Sequence, residues 1–143
     1  MKIYLDTSVL VVFLYGEIEE PERFRSTRAL FNRIEAGEIE AVISFYAMQE
    51  IYGYIVRKSP PEDVDVAFRT GMLALFSLPL VVVPYLDRTR LEAWRRKTSA
   101  RDVTDIPHLA VAMERRCDVM AAYDETFRQA VEGLAYHTPE ELV

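Results

Sequence analysis

Apolar and polar residues alternate along the chain in two recurring patterns. Short apolar runs, typical of buried strands, occur at residues 3–5, 41–43, 80–83, 119–122 and 134–136. Between them, apolar residues recur every three or four positions, which predicts helices just after Asp6 and at about 22–36, 45–58, 61–76, 87–97, 104–116 and 125–131. Strands that alternate with helices favour an α/β fold, in which helices cover both faces of a mostly parallel sheet of about five short strands.

The size of the chain and the lack of any linker-like segment predict a single domain over residues 1–143. A chain of this size buries roughly 70% of its unfolded surface, and 50% hydrophobic with 28% charged residues is the composition of a globular protein. Ser77, Pro79 and Pro84 interrupt the longest apolar stretch, so we expect no membrane span. Because Cys117 is the only cysteine, no internal disulfide can form, and we expect a reducing, cytoplasmic location.

Basic residues are unevenly distributed in a chain whose net charge is −6. That net charge disfavours tight nonspecific binding to nucleic acid. Yet the stretch from Arg88 to Arg101 holds many basic side chains against one acid, Glu92. Such a stretch is commonly a solvated helix face. The alternative is a surface that faces phosphate groups, for which the candidates nearest the next helix are Arg95, Arg96, Lys97 and Arg101.

Four acidic residues lie where predicted strands end or predicted helices begin. Asp6 and Asp124 each follow a strand, while Asp105 and Glu50 lie near the starts of two helices. Since parallel strands end, and the following helices begin, at one edge of the sheet, we expect all four to converge there. Each also has an ordinary explanation: Asp6 and Asp124 as caps, Asp105 as a helix-start acid, and Glu50 as a solvent-exposed side chain.

A group of carboxylates is typical of a site for a hard divalent cation. Mg²⁺ takes oxygen ligands, commonly a few carboxylates together with waters and phosphate, and it can activate water for attack on a phosphodiester. The spacing alone equally allows a structural cation site. His108 follows Asp105 by one turn on an apolar helix face, so we expect it to be packed and hydrogen-bonded rather than to act as a general base.

The four acids belong to four short motifs. These are Leu5-Asp6-Thr7-Ser8-Val9-Leu10, Ile43-Ser44 followed by Glu50, Asp105-Ile106-Pro107-His108-Leu109-Ala110-Val111-Ala112, and Asp124-Glu125-Thr126-Phe127. Taken in this order, the motifs resemble those of the PIN domain family, specifically the toxin nucleases of VapBC-type toxin–antitoxin pairs. The third motif is the most specific, and the resemblance spans nearly the whole chain. It implies a three-layer α/β/α sandwich.

The resemblance also implies a function, a cofactor and partners. The function is that of an endoribonuclease toxin, which hydrolyses RNA with Mg²⁺ or Mn²⁺. Asp6 and Asp105 would be the strongest metal ligands, and Glu50 and Asp124 would bind the ion directly or through water. The implied partners are an RNA substrate, a second copy of the chain, and an antitoxin whose C-terminal segment enters the cleft. In that setting the RNA backbone would contact the basic residues Arg95, Arg96, Lys97 and Arg101.

Some assignments stay open at the level of the sequence. Thr7 and Ser8 are candidates to hydrogen-bond the carboxylates, and Asp102, three residues before Asp105, is a reserve ligand. Many relatives carry Thr or Ser where this chain has Ala122, which slightly favours a catalytically silent scaffold that binds RNA or protein. An Asp-based phosphotransfer domain is disfavoured, because the second Asp expected two residues after Asp6 is a serine.

Overall fold

The centre of the molecule is a five-stranded sheet in which every neighbouring pair of strands is parallel. The computed structural model describes residues 1–143. The strands are β1 (Lys2–Leu5), β2 (Glu40–Ser44), β3 (Leu80–Val83), β4 (Val119–Ala121) and β5 (Ala135–His137), and their order across the sheet is β3-β2-β1-β4-β5. The first strand of the chain is therefore the middle one, with β2 on one side and β4 on the other.

Six α-helices connect or flank the strands. They are α1 (Thr7–Glu19), α2 (Pro21–Glu35), α3 (Phe45–Lys58), α4 (Val64–Phe76), α5 (Arg88–Arg95) and α6 (Ile106–Glu114). Short 3-10 turns lie at Pro61–Asp63, Glu125–Phe127 and Pro139–Glu141. None of the helices combines the length and the apolar character needed to cross a membrane.

Two hydrophobic clusters, one on each face of the sheet, produce the three layers. Ile3 and Leu5 of β1 pack with buried residues of α1, α2, α3 and α4, whereas Tyr4 packs on the other face with Leu109 of α6. This alternation follows from the two-residue period of a strand, which directs successive side chains to opposite faces. Ile51 of α3 is fully buried, and each such side chain contributes about 1.5–3 kcal/mol to stability. The α/β/α sandwich expected from the sequence is confirmed.

The least regular part of the chain differs from the predicted helices. The helix predicted at 125–131 is wrong: only the 3-10 turn Glu125–Phe127 forms, and Gln129 adopts a left-handed conformation with φ of 59°. α6 is shorter than the helix predicted at 104–116: it begins at Ile106 and ends at Glu114, after which Arg116 adopts a left-handed conformation with φ of 54°. Arg116 and Gln129 both adopt a left-handed backbone conformation, which cannot continue a right-handed helix. The spacing of apolar residues does not specify that conformation.

Helices α1 and α3 begin at the carboxyl edge of the sheet with almost no intervening loop. Only Asp6 separates β1 from α1, and β2 continues directly into α3. The Ser44 side chain accepts a hydrogen bond from the backbone N–H of Ala47 and so caps α3. The Asp6 backbone N–H donates to the carbonyl of Ala121 at the end of β4 (3.0 Å). The ends of the adjacent strands β1 and β4 are thereby held together at this edge.

A candidate acidic site at the carboxyl edge of the sheet

An acidic pocket of about 300 Å³ opens at the edge where the strands end. We define it by the residues that line it: Asp6, Thr7, Ser8, Val11, Glu50, Tyr54, Arg57, Asp102, Thr104, Asp105, Asp124 and Phe127. The structure therefore brings together all four acids selected from the sequence, and the reserve acid Asp102 as well. It does so because β1, β4, α3 and α6 all direct an end towards this edge.

Asp6 is buried at the base of the acidic pocket, with 6% of its surface exposed. One of its oxygens, Oδ2, accepts hydrogen bonds from the backbone N–H of Ser8 (2.9 Å) and from the Ser8 hydroxyl (2.6 Å). The Ser8 hydroxyl in turn accepts from the backbone N–H of Tyr123 (3.0 Å). Asp6 is thus a helix cap as well as a pocket residue, and Ser8 contacts it in the way the sequence suggested.

Thr7 does not make the contact that we expected from the sequence. Its hydroxyl oxygen is buried and has no hydrogen-bond partner in the protein, although the residue lines the acidic pocket. Burying a polar atom without a partner is unfavourable, and such atoms in folded proteins commonly bond to water or a ligand. The Thr7 hydroxyl is therefore a buried polar atom beside the pocket for which the protein supplies no partner.

Asp105 and Asp124 are joined through Thr126, a residue that the sequence analysis did not single out. The Thr126 hydroxyl donates to Asp105 (3.0 Å), and its backbone N–H donates to Asp124 (2.9 Å). Asp105 immediately precedes α6 but makes no side-chain capping bond. Position 122 is a buried alanine, which has no hydroxyl, and the hydroxyl that reaches Asp105 comes from Thr126.

The acids of the pocket interact electrostatically with one another. Burial raises the pKa of Asp105, and the negative charges of Asp102, Asp124 and Asp6 raise it further, against the lowering effect of the Thr126 hydroxyl. Asp102 behaves differently because it is exposed. Its side chain accepts from the backbone N–H (2.9 Å) and the hydroxyl (2.8 Å) of Thr104, and these bonds lower the pKa of Asp102.

Glu50 reaches the pocket from α3 and is held by His108 of α6. The Glu50 side chain is 45% exposed, whereas that of His108 is 2% exposed, and the Nε2 atom of His108 is hydrogen-bonded to Glu50 Oε1. Burial lowers the pKa of His108, but the bond to Glu50 and the surrounding carboxylates outweigh it, so that the pKa is raised. The packed, hydrogen-bonded histidine expected from the sequence is confirmed. Glu50 is therefore partly exposed and also hydrogen-bonded, rather than a solvent-exposed side chain alone.

The basic residues chosen from the sequence lie elsewhere. None of Arg95, Arg96, Lys97 and Arg101 lines the acidic pocket. Arg95 lies 3.6 Å from Glu92, and the Lys97 ammonium lies 4.7 Å from the centre of the Trp94 ring.

Arg57 is the basic residue that does line the acidic pocket, and the sequence analysis missed it. It lies seven residues after Glu50 on α3. Two helical turns separate the two positions, so they share one face of the helix. That spacing was the signal available in the sequence.

The model of the PIN domain family matches residues 3–133. The chain belongs to the PIN domain family. The family suggested by the four motifs is therefore confirmed, and membership supports the nuclease class expected from them. A comparison of this PIN domain with curated protein sequences gives no significant match.

Solved structures with the same fold include toxin–antitoxin proteins. Our PIN domain is similar to VapC20 of Mycobacterium tuberculosis, a toxin that cleaves the sarcin–ricin loop (TM-score 0.63, 15% identity, 85% of this chain and 89% of that one). It is similar to VapBC2 of Rickettsia felis bound to promoter DNA (TM-score 0.67, 12% identity, 96% and 98%). It is also similar to FitAB bound to a DNA fragment (TM-score 0.69, 16% identity, 96% and 95%). At these identities the likeness shows the fold.

Proposed function

We propose that this PIN domain is a metal-dependent endoribonuclease and the toxin of a toxin–antitoxin pair. The observation that carries the proposal is the acidic pocket, in which Asp6, Glu50, Asp105 and Asp124 come from four separate motifs and line one cavity. A toxin that cleaves the sarcin–ricin loop has the same fold, which supports RNA as the substrate. The fold alone would not specify a reaction, so the proposal rests on the pocket.

The chemistry of the pocket fits Mg²⁺ or Mn²⁺. Its possible ligands are oxygens of carboxylates and hydroxyls, among them the partnerless Thr7 hydroxyl. No three His, Cys, Asp or Glu side chains are placed to hold a metal ion by themselves. That arrangement suits Mg²⁺, which keeps several waters and binds through one or two carboxylates plus phosphate. We propose Asp6 and Asp105 as the main ligands, with Glu50 and Asp124 binding directly or through water.

The residues of the pocket have separate tasks in this proposal. A bound divalent ion would supply activation of water and stabilisation of charge on the phosphodiester. Asp6 is held in position by Ser8, and Asp105 by Thr126, so neither carboxylate needs to reorganise on binding. Arg57 gives the RNA phosphate a cationic contact at the rim of an otherwise acidic cavity.

Substitution of the two buried or half-buried acids tests the proposal. Asp6→Asn and Asp105→Asn should each lower the rate of RNA cleavage with Mn²⁺ or Mg²⁺ by at least about 100-fold, because each loses a charged ligand. Both should also remove the rise in melting temperature that the ion produces in the wild-type protein. The measurements are gel-based cleavage of a panel of structured RNAs and thermal unfolding with and without Mn²⁺.

Asp65→Asn is the matched control, because Asp65 is an exposed aspartate on α4 outside the acidic pocket. It should cleave RNA and respond to Mn²⁺ like the wild type. If wild-type protein shows no response to either ion and no cleavage, the nuclease proposal is wrong, and a silent RNA- or protein-binding scaffold becomes the better description.

The proposed partners are an antitoxin and a second copy of the chain. The relatives VapBC2 and FitAB, which were solved bound to DNA, support an antitoxin. A short reading frame beside the gene, co-expressed with this chain, should yield a complex that co-elutes and no longer cleaves RNA.

Light scattering of the isolated chain tests the dimer, for which a mass near twice 16.5 kDa is expected.

A further inference from the structure

A buried row of hydrogen-bonded side chains runs from the centre of the sheet to the acidic pocket. The Tyr4 hydroxyl lies 2.6 Å from the Ser44 hydroxyl and 2.7 Å from Nδ1 of His108. The opposite ring nitrogen of His108, Nε2, is bonded to Glu50 Oε1. Tyr4 and Ser44 are fully buried and His108 is 1% exposed. Of the four residues, only Glu50 reaches the solvent-facing pocket.

The hydrogen-bonding capacity of these groups fixes which atom donates to Glu50. If the imidazole is neutral, a proton on Nε2 satisfies the Glu50 carboxylate, and Nδ1 accepts from the Tyr4 hydroxyl. If it is an imidazolium, Nε2 still donates to Glu50, and Nδ1 donates to Tyr4, whose own proton then goes to Ser44. In both states the His108 Nε2–H donates to the Glu50 carboxylate.

We propose that His108 is a positioning residue, which holds one oxygen of Glu50 so that the other is presented to the acidic pocket. An exposed glutamate on a helix surface normally samples several rotamers. Here a rigid, buried ring from α6 bonds to Glu50 of α3, and the contact joins helices from opposite layers of the sandwich. Residues that hold a metal-binding carboxylate in place are part of a working metal site.

This role rests on the proposed function, in which Glu50 contributes to metal binding, but its geometry can be tested without any metal. The chain has two histidines, His108 and His137, so a protein with ¹⁵N-labelled histidine gives two sets of ring signals. Replacing Glu50 by alanine should shift the His108 ring nitrogens and increase the exchange of the Nε2 proton with water. The His137 signals should not change, because its ring lies by Glu141 (3.5 Å).

A matched pair of substitutions separates positioning from simple packing. Glutamine and methionine have side chains of similar length, but only glutamine can donate a hydrogen bond to Glu50. His108→Met should weaken Mn²⁺ binding and slow RNA cleavage by about 10- to 100-fold. His108→Gln should restore both to within a few-fold of the wild type. Mn²⁺ affinity is read from the electron paramagnetic resonance signal of the free ion.

Tyr4→Phe provides a second variant should both His108 variants fail to fold. It keeps the aromatic ring but removes the hydroxyl bonded to Nδ1, so we expect a smaller loss of Mn²⁺ affinity, about three- to tenfold. Thr27→Val is its control, because Thr27 is also fully buried and bonds a tyrosine hydroxyl, that of Tyr123 (2.8 Å), away from Glu50. The control should lose stability but keep the Mn²⁺ affinity of the wild type.

Two outcomes would overturn the positioning role. One is that the His108 ring signals are the same with and without the Glu50 carboxylate. The other is that folded His108→Met or Tyr4→Phe protein binds Mn²⁺ and cleaves RNA as the wild type does. A failed nuclease proposal looks different: wild-type protein then neither binds Mn²⁺ nor cleaves RNA, while the His108 signals still respond to Glu50→Ala.

Discussion

Arg57 is one cation among the five carboxylates that line the acidic pocket. A guanidinium is always charged and binds phosphate oxygens through paired N–H donors. Its exposed position on α3 allows it to contact a phosphate that has not yet reached the carboxylates. At the scale of single residues, the proposed function therefore leads us to expect that Arg57 contributes to capturing the RNA and that the acids contribute to the reaction.

Replacing Arg57 should separate these two contributions. Arg57→Gln should raise KM for RNA by about tenfold and change kcat by no more than a few-fold, because it removes a contact made before and during the reaction alike. Steady-state cleavage kinetics measure both constants.

Two further substitutions of basic residues show whether the rise in KM is specific to Arg57. Arg69→Gln on α4 should behave as the wild type, since Arg69 does not line the pocket. Lys97→Gln tests the basic stretch chosen from the sequence. A larger rise in KM for Lys97→Gln than for Arg57→Gln would show that RNA follows that stretch rather than the α3 side of the pocket.

Glycine has opposite effects at the end of helix α2 and inside helix α3. Gly37 follows the end of α2 at φ of 75°, a left-handed conformation that side chains with a Cβ atom rarely adopt, and no other atom crowds it. Gly53 lies inside α3, where an added Cβ would meet only the end of the Arg57 side chain, at 3.4 Å. The first glycine ends a helix, and the second weakens one.

Alanine at the two positions should therefore change stability in opposite directions. Gly37→Ala should lower the free energy of unfolding by about 1 kcal/mol, because the left-handed backbone is strained for alanine. Gly53→Ala should raise it by about 0.5–1 kcal/mol, because alanine favours the helix more than glycine does. Urea unfolding curves measure both. If both substitutions changed the free energy of unfolding in the same direction, packing rather than backbone conformation would dominate at one of the two sites.

The elements that the sequence predicted well are those with a continuous apolar pattern. Val42 and Ile43 of β2 belong to a continuous apolar run and are buried on opposite faces of the sheet, while Ile51 and Ile55 of α3 follow the helical period and are buried as it requires. The pattern failed at 125–131, where Gln129 turns the backbone into the left-handed region. No apolar spacing specifies such a turn, so the helix predicted at 125–131 was wrong.

The candidate site was predictable to the extent that parallel topology determines it. Asp6 and Asp124 follow adjacent parallel strands, and so had to lie at one edge of the sheet. The contacts of Thr126 with Asp105 and of His108 with Glu50 depend on the directions of side chains from elements far apart in the sequence. No local pattern specifies those directions.

At the scale of the whole molecule, the charge of Asp105 in the acidic pocket opposes stability. Several like charges gather at one edge, and one of them, Asp105, has its pKa raised by burial and by the other acids. A raised pKa means that the ionised carboxylate is less favourable in the folded protein than in the unfolded one. Without a cation the fold is therefore less stable than it would be without the charge of Asp105.

Asp105→Asn should consequently stabilise the metal-free protein while it removes the response to metal. We expect the free energy of unfolding without divalent ions to rise by about 0.5–1 kcal/mol, a modest value because the side chain is partly exposed. Chemical unfolding in the presence of a chelator measures it. If the free energy of unfolding fell instead, the hydrogen bond from Thr126 to Asp105 would stabilise the fold by more than the repulsion between Asp105 and the other acids destabilises it. Asp65→Asn should not raise the free energy of unfolding, because Asp65 lies outside the pocket, in the first turn of α4, where a negative charge is favourable.

The order of strands across the sheet also constrains when the site can exist during synthesis. β1 is made first but lies in the middle, between β2 and a strand, β4, that is made more than a hundred residues later. Tyr4 meets His108, and Ser8 meets the backbone of Tyr123, only once those later segments have left the ribosome. A nascent or truncated chain that ends before Asp124 therefore lacks the pocket, and any activity of the pocket begins only when the chain is nearly complete.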